Sequence, residues 1–178
     1  MSETTADRRS FLRESVIALG GLAAGASLSA GVAKADEGLD LEAAVQELLD
    51  ERAIRAKISC YQRSMDRCDP ELGYSVFWDD SSITVGEYFK GVTGKEFVDY
   101  CMKAHPNIFH TSHQITNSYI TINGDKAGSE SYAKPYFIYD NGDGTFALGL
   151  VTCRYNDQWE KRNGDWRIVH RVVSQEGS

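Results

Sequence analysis

Candidate functional residues of this sequence include Asp66, His113 and Arg171, whose side chains can move protons or hold charge. An imidazole gains and loses a proton near neutral pH, so His113 could act as a general base. An arginine that points into an enclosed apolar space could bind an anion or a leaving group. Each residue type also has a structural role: a carboxylate solvated at a helix end, a hydrogen-bonded histidine, or a surface arginine. The residue types alone leave both roles open for all three.

The helical pattern around Asp66 places it beside an apolar stripe. Ile54, Ile58, Tyr61 and Met65 recur at spacings of four, three and four, which predicts one buried helix face. Asp66 lies eight residues after Ile58, which is about 80° around the helix axis. We therefore expect Asp66 at the border of the stripe, with a view of the interior. The helix dipole disfavours a carboxylate near a helix C-terminus, so another group is expected to hold it there.

Alternation along the predicted strands bears on the other two candidates. Period two puts His113 on the face of Ile115 and Asn117, and puts Arg171 on the face opposite Trp166. Both faces are mixed in polarity, so the alternation does not decide which of them lines the interior.

Three histidines lie close together in the sequence, at His105, His110 and His113. Spacings of five and three, without a nearby cysteine or paired carboxylates, are not typical of zinc sites. The sequence also lacks G-x-G-x-x-G, the P-loop, G-x-S-x-G and H-E-x-x-H. We therefore expect no metal, and the nucleotide-dependent, serine-hydrolase and zincin classes lose support.

Local patterns predict the elements that would position these residues. The first part of the chain predicts three helices, over residues 39–68, 70–78 and 93–103. Pro70 suits the first turn of the second helix, and Thr93 opens the third with the spacing of a capping box.

The rest of the chain predicts strands, because its apolar period changes to two from His113 onward. A short strand is expected at 82–90, and long antiparallel strands joined by Asn-Gly turns are expected at 113–122, 126–140, 145–161 and 165–174. Helices followed by long strands predict an α+β fold in which one sheet curls around the helices.

Length and composition limit the function classes. The 178 residues suit one globular domain, and the net charge of −7 argues against binding nucleic acid through phosphate neutralisation. No apolar run is long enough to predict a permanent membrane span. The four cysteines have no metal or C-x-x-C spacing and are typical of small buried residues, although one disulfide stays open.

The N-terminus has the three parts of an export signal. Arg8-Arg9 resembles the twin-arginine motif, a Gly- and Ala-rich apolar run covers residues 16–32, and Ala33-Lys34-Ala35 has the pattern of a cleavage site. We expect residues 1–35 to be the signal and residues 36–178 to be the mature domain. That domain would fold in the cytoplasm and work in the periplasm or outside the cell.

A set of short motifs resembles the SnoaL-like branch of the NTF2-like superfamily over about residues 48–174. The motifs, in order, are Tyr61-x4-Asp66, Phe77-Trp78-Asp79-Asp80, His113-x3-Asn117, Tyr155-x3-Trp159-Glu160 and Trp166-Arg167-Ile168. The resemblance implies a cone-shaped α+β barrel. In it a curved mixed sheet, mostly antiparallel, wraps around N-terminal helices and encloses an apolar pocket.

The resemblance also implies roles for residues. The chain is similar to the hexachlorocyclohexane dehydrochlorinase, scytalone dehydratase and bile acid 7α-dehydratase groups, which use an Asp–His dyad without metal or organic cofactor. The dyad positions fall on Asp66 and His113. Tyr61 matches a pocket tyrosine of the bile acid enzymes, and Arg171 matches an arginine that assists the leaving group in the dehydrochlorinases. Pro135 stands near the place of a functional acidic residue in the bile acid enzymes, which argues against that substrate.

These residues together predict a cofactor-independent lyase, a dehydratase or dehydrohalogenase, acting on a small, largely apolar ring compound. The alternatives are an isomerase or epoxide hydrolase with the same dyad, and a periplasmic binding protein without turnover. The partners expected are a small-molecule substrate and further copies of the chain, with a trimer preferred and a dimer as the alternative. No nucleic-acid partner is expected, and no membrane association after signal cleavage.

Overall fold

The computed structural model describes residues 40–105 and 108–175. The twin-arginine motif, the apolar run and the cleavage point all lie outside the described residues. Within the described part of the chain, no helix is long and apolar enough to cross a membrane.

Three helices lie where the sequence predicts them. They are α1 (Leu41–Arg67), α2 (Pro70–Tyr74) and α3 (Gly94–Ala104). Thr93 caps α3 in a capping box, in which its side chain accepts from the backbone of Glu96 and the Glu96 carboxylate accepts from the backbone of Thr93. The second helix is shorter than predicted, because the first strand already begins at Phe77.

In residues 40–105 and 108–175, nine strands form two sheets. They are β1 (Phe77–Val85), β2 (Phe89–Val92), β3 (His110–Ser112), β4 (Ile115–Asn123), β5 (Lys126–Ala133), β6 (Tyr136–Asp140), β7 (Phe146–Leu150), β8 (Cys153–Arg162) and β9 (Asp165–Gln175). The larger sheet has the order β2-β1-β9-β8-β5-β4, and the smaller one has the order β3-β6-β7. All pairs are antiparallel except β1 with β9, which is parallel. The α+β fold with a curved mixed sheet is confirmed, although the larger sheet stays open between its outer strands β2 and β4.

The strand boundaries differ from the predicted ones in two ways. The strand predicted at 82–90 was wrong, because the chain there forms a hairpin of β1 and β2 around Gly86, which has a φ of 49°. The first long strand begins at Ile115 and is separated by residues 113–114 from the short strand β3, and the second and third are each broken in two, at 134–135 and 151–152. Hydrogen bonds from Lys134 N to Gln114 O (2.8 Å) and from Val151 N to Pro135 O (3.0 Å) place these breaks side by side. They therefore form one bend across the sheet.

The bend and a bulge change which side chains face inward. His113 lies in the bend, so it does not share a face with the exposed Asn117 as alternation predicted. In β9 the register shifts, because Trp159 pairs with Ile168 whereas Gln158 pairs with His170. This β-bulge reverses the alternation, so that Arg171 is buried on the same side as Ile168. The prediction that Arg171 faces away from Trp166 was therefore wrong.

The predicted apolar stripe of α1 is confirmed as the centre of the core. Its four residues, Ile54, Ile58, Tyr61 and Met65, are all buried. They belong to one cluster with the inward side chains of the sheet, which include Phe77, Tyr155, Trp159, Trp166 and Ile168. The sheet therefore holds α1 firmly, and the end of α1 brings Asp66 to the bend.

Candidate active site

Asp66 and His113 form a hydrogen-bonded dyad at the C-terminal end of α1. The Nδ1 atom of His113 lies 2.7 Å from Oδ1 of Asp66. An ionised carboxylate only accepts hydrogen bonds, so Nδ1 carries a proton, and in the neutral ring Nε2 keeps its lone pair. In the described part of the chain no group is hydrogen-bonded to Nε2. In this arrangement Asp66 occupies Nδ1, and Nε2 is left without a hydrogen-bond partner among the described residues.

Further hydrogen bonds fix the position of Asp66 relative to His113. The His113 backbone N–H donates to both carboxylate oxygens of Asp66, at 2.9 and 3.0 Å. The Gln62 side chain donates to the His113 carbonyl oxygen at 2.9 Å. The His113 N–H thus provides the carboxylate at the end of the helix with the donor that it requires. These hydrogen bonds also attach the bend of the sheet to α1.

A cavity of about 250 Å³ lies beside the dyad, and the His113 ring forms part of its wall. Most of the lining is apolar, including Met65, Phe97, Met102, Ile108, Pro135, Phe137, Val151 and Val173. No aspartate, glutamate, lysine or arginine of the described chain is among the lining side chains. The cavity therefore favours an uncharged and compact ligand.

Tyr61 contributes a hydroxyl group to this cavity. Its ring meets the His113 ring edge to face, with centroids 6.2 Å apart. Burial raises the pKa of the Tyr61 phenol, and the nearby Arg171 guanidinium opposes this by a smaller amount. The phenol therefore stays protonated at neutral pH and can donate a hydrogen bond.

Arg171 is inside the protein but does not line the cavity. Its guanidinium makes a bidentate ion pair with Asp157, with Nε–Oδ1 and Nη2–Oδ2 distances of 2.7 and 2.8 Å. Its charge centre lies 4.3 Å from the Tyr61 ring centroid and 4.7 Å from that of Tyr155. Of the candidates taken from the sequence, Tyr61 and His113 line the cavity, Asp66 supports His113, and Arg171 lies behind two cavity tyrosines.

The other two histidines do not join the dyad. His105 lines the cavity, but its Nε2 lies 3.0 Å from the carbonyl oxygen of Met65. The exposed His110 has its Nε2 3.2 Å from the Tyr136 hydroxyl. Across residues 40–105 and 108–175, no three His, Cys, Asp or Glu side chains cluster so that they could hold a metal ion.

Two of the cysteines line the cavity, and all four are free thiols. Burial raises the pKa of the Cys101 thiol to about 12, and burial also raises the pKa of Cys153. A thiol that stays protonated is a poor nucleophile. The geometry therefore favours histidine chemistry over cysteine chemistry.

Sequence reasoning missed three residues of the site: Gln62, Thr111 and Tyr155. Gln62 carries no signal beyond its place next to Tyr61. Thr111 lines the cavity, and its Oγ1 is buried without a hydrogen-bond partner in the described structure. Tyr155 stood in one of the motifs, and its alternation with Cys153 and Asp157 could have placed it inside the sheet.

Comparisons with known proteins identify relatives of this fold. The family model described as the SnoaL-like domain matches residues 46–172. A search among curated proteins finds no significant match.

Solved structures with the same fold include enzymes and superfamily members without a stated activity. The type 3 hexachlorocyclohexane dehydrochlorinase LinA from Novosphingobium barchaimii has a TM-score of 0.66 at 20% identity, over 75% of this chain and 91% of that chain. A scytalone dehydratase-like protein from Novosphingobium aromaticivorans has a TM-score of 0.66 at 21% identity, over 75% of this chain and 89% of that one. An NTF2-like superfamily protein from Salmonella enterica has a TM-score of 0.60 at 20% identity, over 77% and 94% of the two chains. At these identities the likeness shows the fold alone.

Proposed function

Since the chain belongs to the SnoaL-like domain family, we propose that it is a cofactor-independent lyase of the dehydratase or dehydrohalogenase type. The substrate is a small, uncharged and largely apolar ring compound. The Asp66–His113 dyad removes a proton from a ring carbon, and a leaving group departs from the neighbouring carbon. The observation that carries this proposal is the bare Nε2 of His113 on the wall of an apolar cavity.

The reaction follows from the geometry of the dyad. Nε2 of His113 takes the proton, and the electrons of the broken C–H bond form the new C=C bond. Asp66 holds the ring in the required tautomer and stabilises the imidazolium that forms. If hydroxide leaves, the imidazolium returns its proton and water is released. If halide leaves, the proton passes to solvent. In both cases the Tyr61 hydroxyl donates a hydrogen bond to the atom that gains charge.

The cavity supports elimination in preference to hydrolysis. Its apolar wall excludes water, so the base meets a C–H bond and not an ordered water molecule. A cavity of about 250 Å³ can hold one small ring compound and leaves little room for an organic cofactor beside it. The LinA and scytalone dehydratase-like neighbours are the precedents for this choice on the same fold.

A screen of two substrate classes tests the proposal. Cyclic hydroxyketones and chlorinated cyclohexanes are supplied to the purified domain, and the new C=C bond or released chloride is measured. We expect turnover that falls about 10²–10⁴-fold in both Asp66→Asn and His113→Ala, because positioned base catalysis contributes about this factor. The matched control is His110→Ala, because His110 is exposed and outside the cavity.

Three other outcomes of the screen contradict the proposal. Turnover that survives His113→Ala excludes the dyad. Isomerised or hydrated products without elimination indicate an isomerase or an epoxide hydrolase. Tight binding of ring compounds without turnover of either class indicates a binding protein.

We also propose export through the twin-arginine route, on the strength of Arg8-Arg9 and the run after it. In cells that express the full chain, Arg8→Lys with Arg9→Lys should retain the protein in the cytoplasm. Unchanged export of this variant would contradict the proposal.

A further inference from the structure

Tyr155 lines the same cavity as Tyr61 and His113. Its ring meets the Tyr61 ring edge to face, with centroids 5.7 Å apart and an interplanar angle of 84°. The two phenols belong to different elements, α1 and β8, so they come together only when the helix packs against the sheet. The hydroxyl of Tyr155 interacts with the thiol of Cys153, which is only a weak hydrogen-bond partner. In the described structure the Tyr61 hydroxyl has no hydrogen-bond partner.

A buried cation lies behind both rings. The guanidinium of Arg171 is within 4.3 Å of the Tyr61 centroid and 4.7 Å of the Tyr155 centroid, and its side chain is 1% exposed. Its Nη1 atom is buried and has no hydrogen-bond partner in the described chain. A cation at a ring face favours negative charge on the phenol oxygen, so both hydroxyls become better hydrogen-bond donors. In this dry interior such an interaction is weakly screened.

We propose that Tyr155 is a second catalytic hydrogen-bond donor that acts with Tyr61 on one oxygen atom of the substrate, and that Arg171 is a positioning residue acting through both phenols. The inference rests on the proposed function and deepens it. Two neutral donors in a cavity without charged side chains select an uncharged ring that carries an oxygen acceptor where charge develops. That acceptor is the oxygen of a carbonyl or a departing hydroxyl group.

Two probes of equal shape test the role of Tyr155 without any turnover. 4-Nitrophenolate offers one charged oxygen acceptor, which imitates the substrate oxygen on which charge develops during the reaction, whereas 4-nitrotoluene carries a methyl group in its place. Calorimetric titration of the domain should show that Tyr155→Phe weakens 4-nitrophenolate binding about tenfold, because a hydrogen bond to a charged acceptor is lost. Binding of 4-nitrotoluene should not change. Phe137→Leu, which changes the cavity wall without removing a hydroxyl, should affect both probes alike.

A second variant tests Arg171 while avoiding an unpaired buried charge. The double variant Arg171→Met with Asp157→Leu removes both charges of the ion pair and should remain folded. We expect it to weaken 4-nitrophenolate relative to 4-nitrotoluene several-fold. In a background of Tyr61→Phe with Tyr155→Phe the same double variant should have no further effect on that ratio. A purely structural role would instead weaken both probes equally.

The two proposals fail separately. If Tyr155→Phe leaves the preference for 4-nitrophenolate unchanged, the second donor is refuted even where turnover depends on Asp66 and His113. If that preference is lost but the native domain turns over neither substrate class, the oxygen site stands and the lyase proposal falls. If the ratio survives removal of the ion pair, Arg171 does not act through the phenols.

Discussion

The ion pair of Arg171 with Asp157 should make the free energy of unfolding more sensitive to the loss of one partner than to the loss of both. Both side chains are 1% exposed, and the two residues are direct neighbours in the β8–β9 register. Removing one partner from a buried pair leaves the other charge without compensation, which costs about 3–5 kcal/mol. A domain of this size has a free energy of unfolding of about 5–15 kcal/mol, so either single change removes a large part of it.

Removing both partners should be far less damaging. Arg171→Met and Asp157→Leu together replace two charges by apolar groups of similar size, which is often close to neutral. The guanidinium also contacts the Tyr61 and Tyr155 rings, and losing those cation–π contacts costs about 2 kcal/mol in a desolvated site. We therefore expect about 4 kcal/mol of destabilisation for each single variant and about 2 kcal/mol for the double variant.

Urea unfolding, followed by tryptophan fluorescence, measures these differences in the free energy of unfolding. They are calculated from the shift of the transition midpoint, with the same slope of free energy against urea concentration for every variant. The control is Arg162→Met, because Arg162 makes a bidentate pair with Asp80 on the exposed surface and should affect stability little. A double variant less stable than either single variant would refute this reasoning. So would an Arg171→Met variant as stable as the Arg162→Met control.

Two further predictions concern assembly and acid stability. Strand β7 is an outer strand that leaves large apolar side chains exposed on one face, so we propose a homo-oligomer, preferably a trimer, formed through this face. Light scattering should give a multiple of the chain mass that falls to the monomer in Leu148→Lys and not in Tyr88→Lys, and a native monomer would contradict it. Burial raises the pKa of the Asp50 carboxyl, but hydrogen bonds from Lys161 and Trp166 outweigh it and hold the pKa below its ordinary 3.8. The stabilisation from the ionised Asp50 carboxylate is therefore complete above pH 3.8 and is lost as the pH falls through the lowered pKa. Acid should consequently lower the urea midpoint of Asp50→Asn less than that of the native domain.

The helices could be predicted from the sequence because their determinants are local. The apolar stripe of α1 follows from spacing, and the start of α3 follows from one cap at Thr93. The bend of the sheet could not be predicted so well, because Pro135 is the only strong local marker along it. Its other two breaks become visible only when neighbouring strands are aligned.

The position of Arg171 shows the limit of strand alternation most clearly. Next to the Asn163-Gly164 turn, Glu160 of β8 pairs with Arg167 of β9. If this register continued without a bulge, Asp157 would pair with His170. The bulge in β9 shifts the register by one residue and brings Arg171 opposite Asp157 instead. No glycine or proline marks this bulge, so the buried ion pair could not be predicted from the pattern.

The candidate site was predicted in part from local geometry and in part from resemblance. Helical geometry placed Asp66 beside the stripe, and the resemblance connected it with His113. The contribution of Tyr155 was missed because its role depends on packing against Tyr61, a contact between α1 and β8 that no local spacing encodes.

The tautomer of His113 tests the central claim most directly, because it decides whether Nε2 can act as a base. Nitrogen-15 NMR of the ring in the native domain, at a pH where the ring is neutral, distinguishes a protonated Nδ1 from a protonated Nε2. We expect Nδ1 to carry the proton in the native domain, and we expect Asp66→Asn, which can donate to Nδ1, to shift the population toward a protonated Nε2. A native ring protonated at Nε2, or a tautomer population that Asp66→Asn leaves unchanged, would contradict the account.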